Sequence, residues 1–155
     1  MSEYTERNTV AVSGGMDPIH IGHVRMILDA ARYGDVIVIL NSDEWLIDKK
    51  GYCFMTWEER AEIIRSIKGV SMVVPTQKEQ DTSVCNTLKY LKKEYDLTFF
   101  ANGGDRIDTT TPEMKVCEEN DIQMLWNIGG GKVQSSSTLV NKTTWGKRRV
   151  HGIEI

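Results

Sequence analysis

Cysteine is scarce in this chain: Cys53, Cys85 and Cys117 are odd in number and far apart. That count excludes a disulfide-stapled scaffold, and the spacing fits no metal-ligand pattern, which leaves reduced structural thiols. Long apolar runs are absent as well. The opening MSEYTERNTV has no apolar segment of a secretion signal, and no later stretch reaches the ~20 residues a membrane span needs. A cytoplasmic protein, with no membrane as partner, is the expectation; Asn141-Lys142-Thr143, a match to a glycosylation acceptor, is then chance. There is no basic excess either. Nineteen Lys and Arg stand against 22 Asp and Glu, a net charge of −3, whereas a general nucleic-acid binder carries the opposite balance, so no nucleic acid is expected as partner. Repeats, low-complexity segments and interdomain linkers are missing too. With 155 residues, 40% hydrophobic and 26% charged, the chain reads as one domain over 1–155, large enough for its own core. The core spans about 9–142. The tail 143–155 has no clear period, and its Lys147-Arg148-Arg149 reads as a solvated basic run.

What is present is alternation. TVAVS (9–13), DVIVILN (35–41), VSMVV (70–74), LTFFAN (97–102) and IQMLWNI (122–128) are short apolar runs of strand character. Between them, apolar residues recur at helical spacing: Ile21, Val24, Ile27, Leu28 and Ala31; then Ala61, Ile64 and Ile67; then Val84, Leu88, Leu91 and Tyr95. Pro112 suits the first turn of another helix, and Ser135–Lys142 begins a last one with hydroxyl residues able to cap it. Five such alternations predict an α/β fold with a five-stranded, mainly parallel sheet and helices on both faces. Ligands of such sheets bind beyond the carboxyl ends of the strands. The loops to examine are therefore 13–20, 41–51, 75–83, 102–111 and 128–137.

The first of these loops holds GGMDPIHIGH (14–23). Gly14 and Gly15 let the backbone bend and approach a ligand. A helix starting here presents unpaired N–H groups and the positive end of its dipole, which suit phosphate. His20 and His23, three residues apart, point the same way at that start, with Gly22 leaving space between them. Zinc would need a third ligand, and neither His151 nor a cysteine pattern supplies one.

This stretch resembles the signature G-x-F-D-x-x-H-x-G-H of the cytidylyltransferase-like nucleotidyltransferase superfamily, with Met16 in place of its aromatic. LNSDEWLIDKKG (40–51), FMTWEERAEIIRSIKGVSMVV (54–74), FFANGGDR (99–106) and GGGKVQSSSTLV (129–140) are similar, in order, to later blocks of small bacterial members. These are the heptose-phosphate adenylyltransferases and glycerol-3-phosphate cytidylyltransferases. The resemblance covers roughly 9–142. It implies a Rossmann-like three-layer sandwich and a transferase that moves a nucleoside monophosphate from an NTP, ATP or CTP, to a small phosphomonoester. Pyrophosphate is released and Mg²⁺ is held mainly by the NTP phosphates. His20, His23 and Lys49 are then the catalytic candidates. Ser13, Gly14, Gly15, Asp17, Gly22, Lys50, Gly104, Asp105, Arg106, Ser135, Ser136, Ser137 and Thr138 are the nucleotide-binding ones, and no protein metal ligand is implied. A homodimer is implied too; Trp45, Trp57, Trp126 and Trp145 exceed what one small core hides, and aromatics are enriched at interfaces.

Several of these blocks have plainer readings. Lys49 and Lys50 equally suit a solvated loop, and only a lysine of this loop, not a particular one, is implied to reach the triphosphate. Arg60, flanked by Glu58, Glu59 and Glu62, suits an intrahelical ion pair; the family pattern often has this arginine, which leaves both a structural role and contact with substrate open. HIGH is also the signature of class I aminoacyl-tRNA synthetases, but no KMSKS-like block follows. Pantetheine-phosphate and nicotinamide-mononucleotide adenylyltransferases share the first and last blocks and fit the middle less well. A catalytically inactive nucleotide-binding protein is the alternative of another class. As for the nucleotide, the cytidylyltransferases carry R-T-E-G-I-S-T-T and R-Y-V-D elements where this chain reads GGKVQSSST and KGVS, without either arginine. That points to ATP.

The serine block yields a direct test. If Ser135–Thr138 grips a triphosphate, replacing Ser136 and Ser137 by Ala weakens NTP binding far more than NMP binding, at roughly 1.5–3 kcal/mol per lost charge-assisted hydrogen bond. A simple helix cap predicts instead about 1 kcal/mol of lost stability and no selectivity between the two nucleotides. Isothermal titration of the double variant beside its melting curve separates the two.

Overall fold

Each apolar run is a strand of one parallel sheet in the computed structural model, which describes residues 7–79, 83–103 and 111–130. In chain order the elements are β1 (Thr9–Gly14), α1 (Ile21–Ala30), β2 (Asp35–Leu40), α2 (Asp43–Lys50), α3 (Trp57–Arg65) and β3 (Val70–Pro75). They continue with α4 (Cys85–Tyr95), β4 (Phe99–Gly103), α5 (Pro112–Glu119) and β5 (Gln123–Ile128). The strands lie in the order β3-β2-β1-β4-β5, every neighbouring pair parallel. The expected strands thus appear with ends moved by a residue or two. The expected helix at 135–142 and the tail 143–155 lie outside the described residues.

Period-two alternation divides the core between the two faces. Val10, Val12, Val36, Val38 and Leu40 point to one side, where Ile27 and Ala30 of α1 and Ala61 and Ile64 of α3 cover them. Ala11, Ile37 and Ile39 point to the other, against Leu88 and Leu91 of α4 and Val116 and Cys117 of α5. Crossovers from β1 to β3 therefore run on one face and those from β3 to β5 on the other. Their sense reverses between β1 and β4, the place where such a sheet opens a crevice at its carboxyl edge. Burial, with Cys85 and Glu113 nearby, raises the Cys117 thiol to about 12, so this cysteine is an inert core residue. Trp45, Trp57 and Trp126 are half-buried, and the Trp57 indole donates to the Leu40 carbonyl at 3.0 Å. Among the described residues, no helix is long and apolar enough to cross a membrane.

One helix was not foreseen. Residues 41–51 read as a loop because 43–50 has no amphipathic period, and Leu46 is the residue α2 buries. Its ends were nonetheless written in the sequence: Ser42 caps the Trp45 N–H, Asp43 and Glu44 occupy the first turn, Lys49 and Lys50 the last, and Gly51 closes the helix at φ 87°.

The last strand is held against α1. The Gly129 N–H donates to the Asp29 carboxylate at 2.7 Å, and a Cβ at Gly129 would lie 2.8 Å from the Met26 backbone. Gly129 and Gly130 both have positive φ, 88° and 77°, but among the described residues nothing crowds Gly130. Gly130→Ala should therefore cost about 1–2 kcal/mol from its backbone conformation alone, and Gly129→Ala about 2–4 kcal/mol because overpacking is added. Urea unfolding of the two variants measures the difference.

Candidate functional site

β1 delivers Ser13, Gly14 and Gly15 to the carboxyl edge. Ser13 is half-buried beside Ile39, and the Gly14 carbonyl accepts the Asn41 N–H at 3.1 Å. At Gly15 the space belongs to the protein: an added Cβ would lie 2.7 Å from a Leu46 methyl. This glycine lets α2 close on the turn, whereas a Cβ at Gly14 would meet nothing nearer than Met16 at 3.7 Å. Met16 follows with φ 50°, buried in the core, and a cis Asp17–Pro18 bond leads on to α1.

His20 and His23 start α1 in an arrangement their spacing anticipates, since i, i+3 is also the spacing of N-cap and N3. His20 Nδ1 accepts the Gly22 N–H at 3.0 Å, and His23 Nδ1 accepts the His20 N–H at 3.1 Å. The two imidazoles form a capping box. They occupy two of the amides that the sequence reading had offered to phosphate. In return, an accepting Nδ1 places the ring proton on Nε2 in both residues. The rings stack with centroids 3.8 Å apart, fixing their planes together. Burial, then the neighbouring His20 and Lys50, lowers the His23 pKa to about 3. His23 is thus a neutral hydrogen-bond donor at physiological pH and not a positive charge.

Asp17 is buried, and its two carboxylate oxygens accept the Phe54 and Met55 N–H groups, each at 2.6 Å. It ties the glycine turn to the loop 51–56. Its carbonyl accepts the Lys50 ammonium at 2.8 Å. Of the two candidate lysines, the structure therefore brings Lys50 to the histidines, with its ammonium also 5.0 Å from the Tyr52 ring. Lys49 is exposed and lies over the Trp45 ring at 4.9 Å. Gly104, Asp105, Arg106, Ser135, Ser136, Ser137 and Thr138 lie outside the described residues.

Arg60 does not pair along its own helix. Its side chain is wholly buried and donates to the carbonyls of Met55 (2.9 Å), Gly15 (2.7 Å) and Asn41 (2.9 Å) and to the Asp43 carboxylate (2.6 Å). Glu58, Glu59 and Glu62 are exposed. Partial burial alone would raise the Asp43 carboxyl, but hydrogen bonds from Arg60 and Cys53 hold it below its ordinary value. The sequence reading missed Asp43 altogether. In the β3–α4 connection the Glu79 carboxylate accepts the Asn86 and Thr87 N–H groups at 2.9 and 2.8 Å and so caps α4. Among the described residues, no three His, Cys, Asp or Glu side chains gather as a metal site.

Residues 11–139 match the Cytidylyltransferase-like family. Glycerol-3-phosphate cytidylyltransferase of Bacillus subtilis (strain 168) is 31% identical over 77 residues, 46% of this chain and 60% of that protein. The enzyme of the same name from Staphylococcus aureus (strain NCTC 8325 / PS 47) is 30% identical over 101 residues, 62% of this chain and 69% of its own length. Among solved structures, the lipopolysaccharide core biosynthesis protein of Thermoplasma volcanium GSS1 shares the fold with a TM-score of 0.64 at 18% identity, over 83% of this chain and 99% of that one.

The neutral His23 has a consequence for stability. The unfolded chain takes up a proton near the ordinary imidazole value of 6.5 while the folded chain waits until about 3. Stability is therefore complete above that ordinary value and is lost as the pH falls toward the folded one, by up to about 1.4 kcal/mol per pH unit. In His23→Gln the amide oxygen can still accept the His20 N–H, as in an ordinary capping box, but nothing titrates. Between pH 7.5 and 5, urea unfolding should show the parent chain losing about 2 kcal/mol more than His23→Gln.

Proposed function

Because this chain belongs to the cytidylyltransferase-like family, we propose that it is an enzyme that transfers a nucleoside monophosphate from a nucleoside triphosphate to a small phosphorylated acceptor. One observation carries the reading: two imidazoles, each held by a backbone amide through Nδ1, start α1 where the sheet's crossovers reverse, with Lys50 beside them. In the proposed step an acceptor phosphate oxygen forms a bond to the α-phosphorus. The bond from that phosphorus to its bridging oxygen breaks, and pyrophosphate leaves. Neither reactant needs a protein nucleophile, so the chain contributes alignment and charge stabilisation.

His20 and His23 would donate from Nε2 to oxygens of the α- and β-phosphates as charge builds there. Donors already anchored through Nδ1 need no reorganisation during the reaction. Lys50 supplies the full positive charge that a neutral His23 does not, and Ser135–Thr138 would hold the β- and γ-phosphates. Asp17, engaged through both oxygens by backbone amides, serves the fold. Mg²⁺ would be held mainly by the triphosphate and would supply charge neutralisation there. We take ATP as donor from the two arginines that GGKVQSSST and KGVS lack, and a sugar or polyol phosphate as acceptor. A second reading, CTP as donor, is supported by the two relatives named as cytidylyltransferases. Self-association as a homodimer belongs to the proposal; Ile21 and Leu28, seven residues apart on α1, are exposed at 44% and 43% and offer an apolar strip for it.

The test is turnover. With Mg²⁺, each of the four NTPs and a panel of phosphomonoesters, the chain should release pyrophosphate, with the highest kcat/KM for ATP. His20→Ala and His23→Ala should each lower turnover at least ~10²-fold. Triphosphate binding without pyrophosphate release from any pair would make it a nucleotide-binding protein instead.

A further inference from the structure

Arg60 touches no solvent, so it cannot reach a substrate, yet every acceptor it holds belongs to a segment that carries part of the proposed site. Gly15 lies in the turn that leads to His20. Asn41 directly follows β2, and Asp43 opens α2, whose last residue is Lys50. Met55, which accepts from Arg60 Nε at 2.9 Å, donates its own N–H to Asp17, and the Asp17 carbonyl accepts from Lys50. Hydrogen bonds joined through the backbones of Met55 and Asp17 thus connect the buried guanidinium to the site ammonium. A second branch runs from Nη1 to the Gly15 carbonyl in the histidine turn.

Resting on the nucleotidyl-transfer reading, we propose that Arg60 and its partner Asp43 are positioning residues that set the spacing between the His20/His23 pair and Lys50. The geometry favours this over a simple bolt. A bolt needs one strong contact between two elements, whereas Arg60 divides its donors among three segments, the Gly15 turn leading to the histidines and the Asn41–Asp43 and Met55 segments leading to Lys50. Groups that stabilise a transition state must be aligned to a fraction of an ångström, while phosphate attraction to the same groups tolerates displacement. Disturbing the hub therefore lowers kcat and leaves KM nearly unchanged.

The experiment compares Arg60→Lys and Asp43→Asn with the parent chain, at a temperature well below each measured Tm. Lysine keeps the charge but cannot span the four acceptors, because its three donors radiate from one atom. Asparagine keeps an acceptor and removes the counter-charge. Asp43 is one-third exposed, so its variant serves if Arg60→Lys does not fold. We expect kcat to fall at least ~30-fold with KM within ~3-fold, and the imidazole ¹⁵N resonances of His20 and His23 to shift. Lower Tm with kcat and imidazole resonances like the parent's would overturn the proposal and leave Arg60 a bolt. If the parent chain itself releases no pyrophosphate, the nucleotidyl-transfer reading falls. The ¹⁵N resonances then decide the positioning role alone: shifted, they support it; unshifted, they refute it.

Discussion

A guanidinium removed from water must have its charge balanced and its donors occupied, or its burial costs several kcal/mol. Arg60 meets that condition only when the ends of β1 and β2, the first turn of α2 and the loop before α3 converge on it. The convergence is electrostatic, yet it decides the shape of the carboxyl edge. Three carbonyl dipoles and one carboxylate are fixed in direction by the cation they surround, and the backbone on either side of each has little freedom left. The rest of the edge follows from this: Asp17 bridges two of the gathered loops, and α2 presents its last turn to the histidines.

The histidines meet a different constraint. A helix N-terminus is the positive end of a dipole, a poor place for an imidazolium and a good one for an acceptor. By accepting amide protons there, His20 and His23 satisfy the helix and fix their own tautomers in one arrangement. Burial and the nearby ammonium then keep His23 neutral. The site divides its labour accordingly, with directional imidazole donors on α1, His23 among them neutral, and a full charge on α2.

Much of this is legible in the sequence. Apolar runs at 9–13, 35–41, 70–74, 97–102 and 122–128 declare strands, and the glycine turn with two histidines marks the edge. Two things were not legible, for definable reasons. α2 has no apolar stripe, so a search for period finds nothing, and only its capping residues and end charges betray it. Arg60 has glutamates at local helical spacing, so near neighbours suggest a partner, while the real one lies 17 residues away at the start of α2. Lys49 and Lys50 show the limit of reading adjacent residues. On a helix they diverge by about 100°, and no composition says which of them faces Asp17.

Gly15 and Leu46 carry an implication for how such a chain can vary. The methyl of Leu46 occupies the volume where a side chain at 15 would begin, so the two positions share a single allotment of space. A lineage could place a side chain on the turn only after shortening the residue on α2, and each intermediate would be either crowded or hollow. Substitutions at 15 and 46 should therefore travel together or not at all. The pair is a fixed joint between the histidine turn and the lysine helix through which the sequence around it can drift.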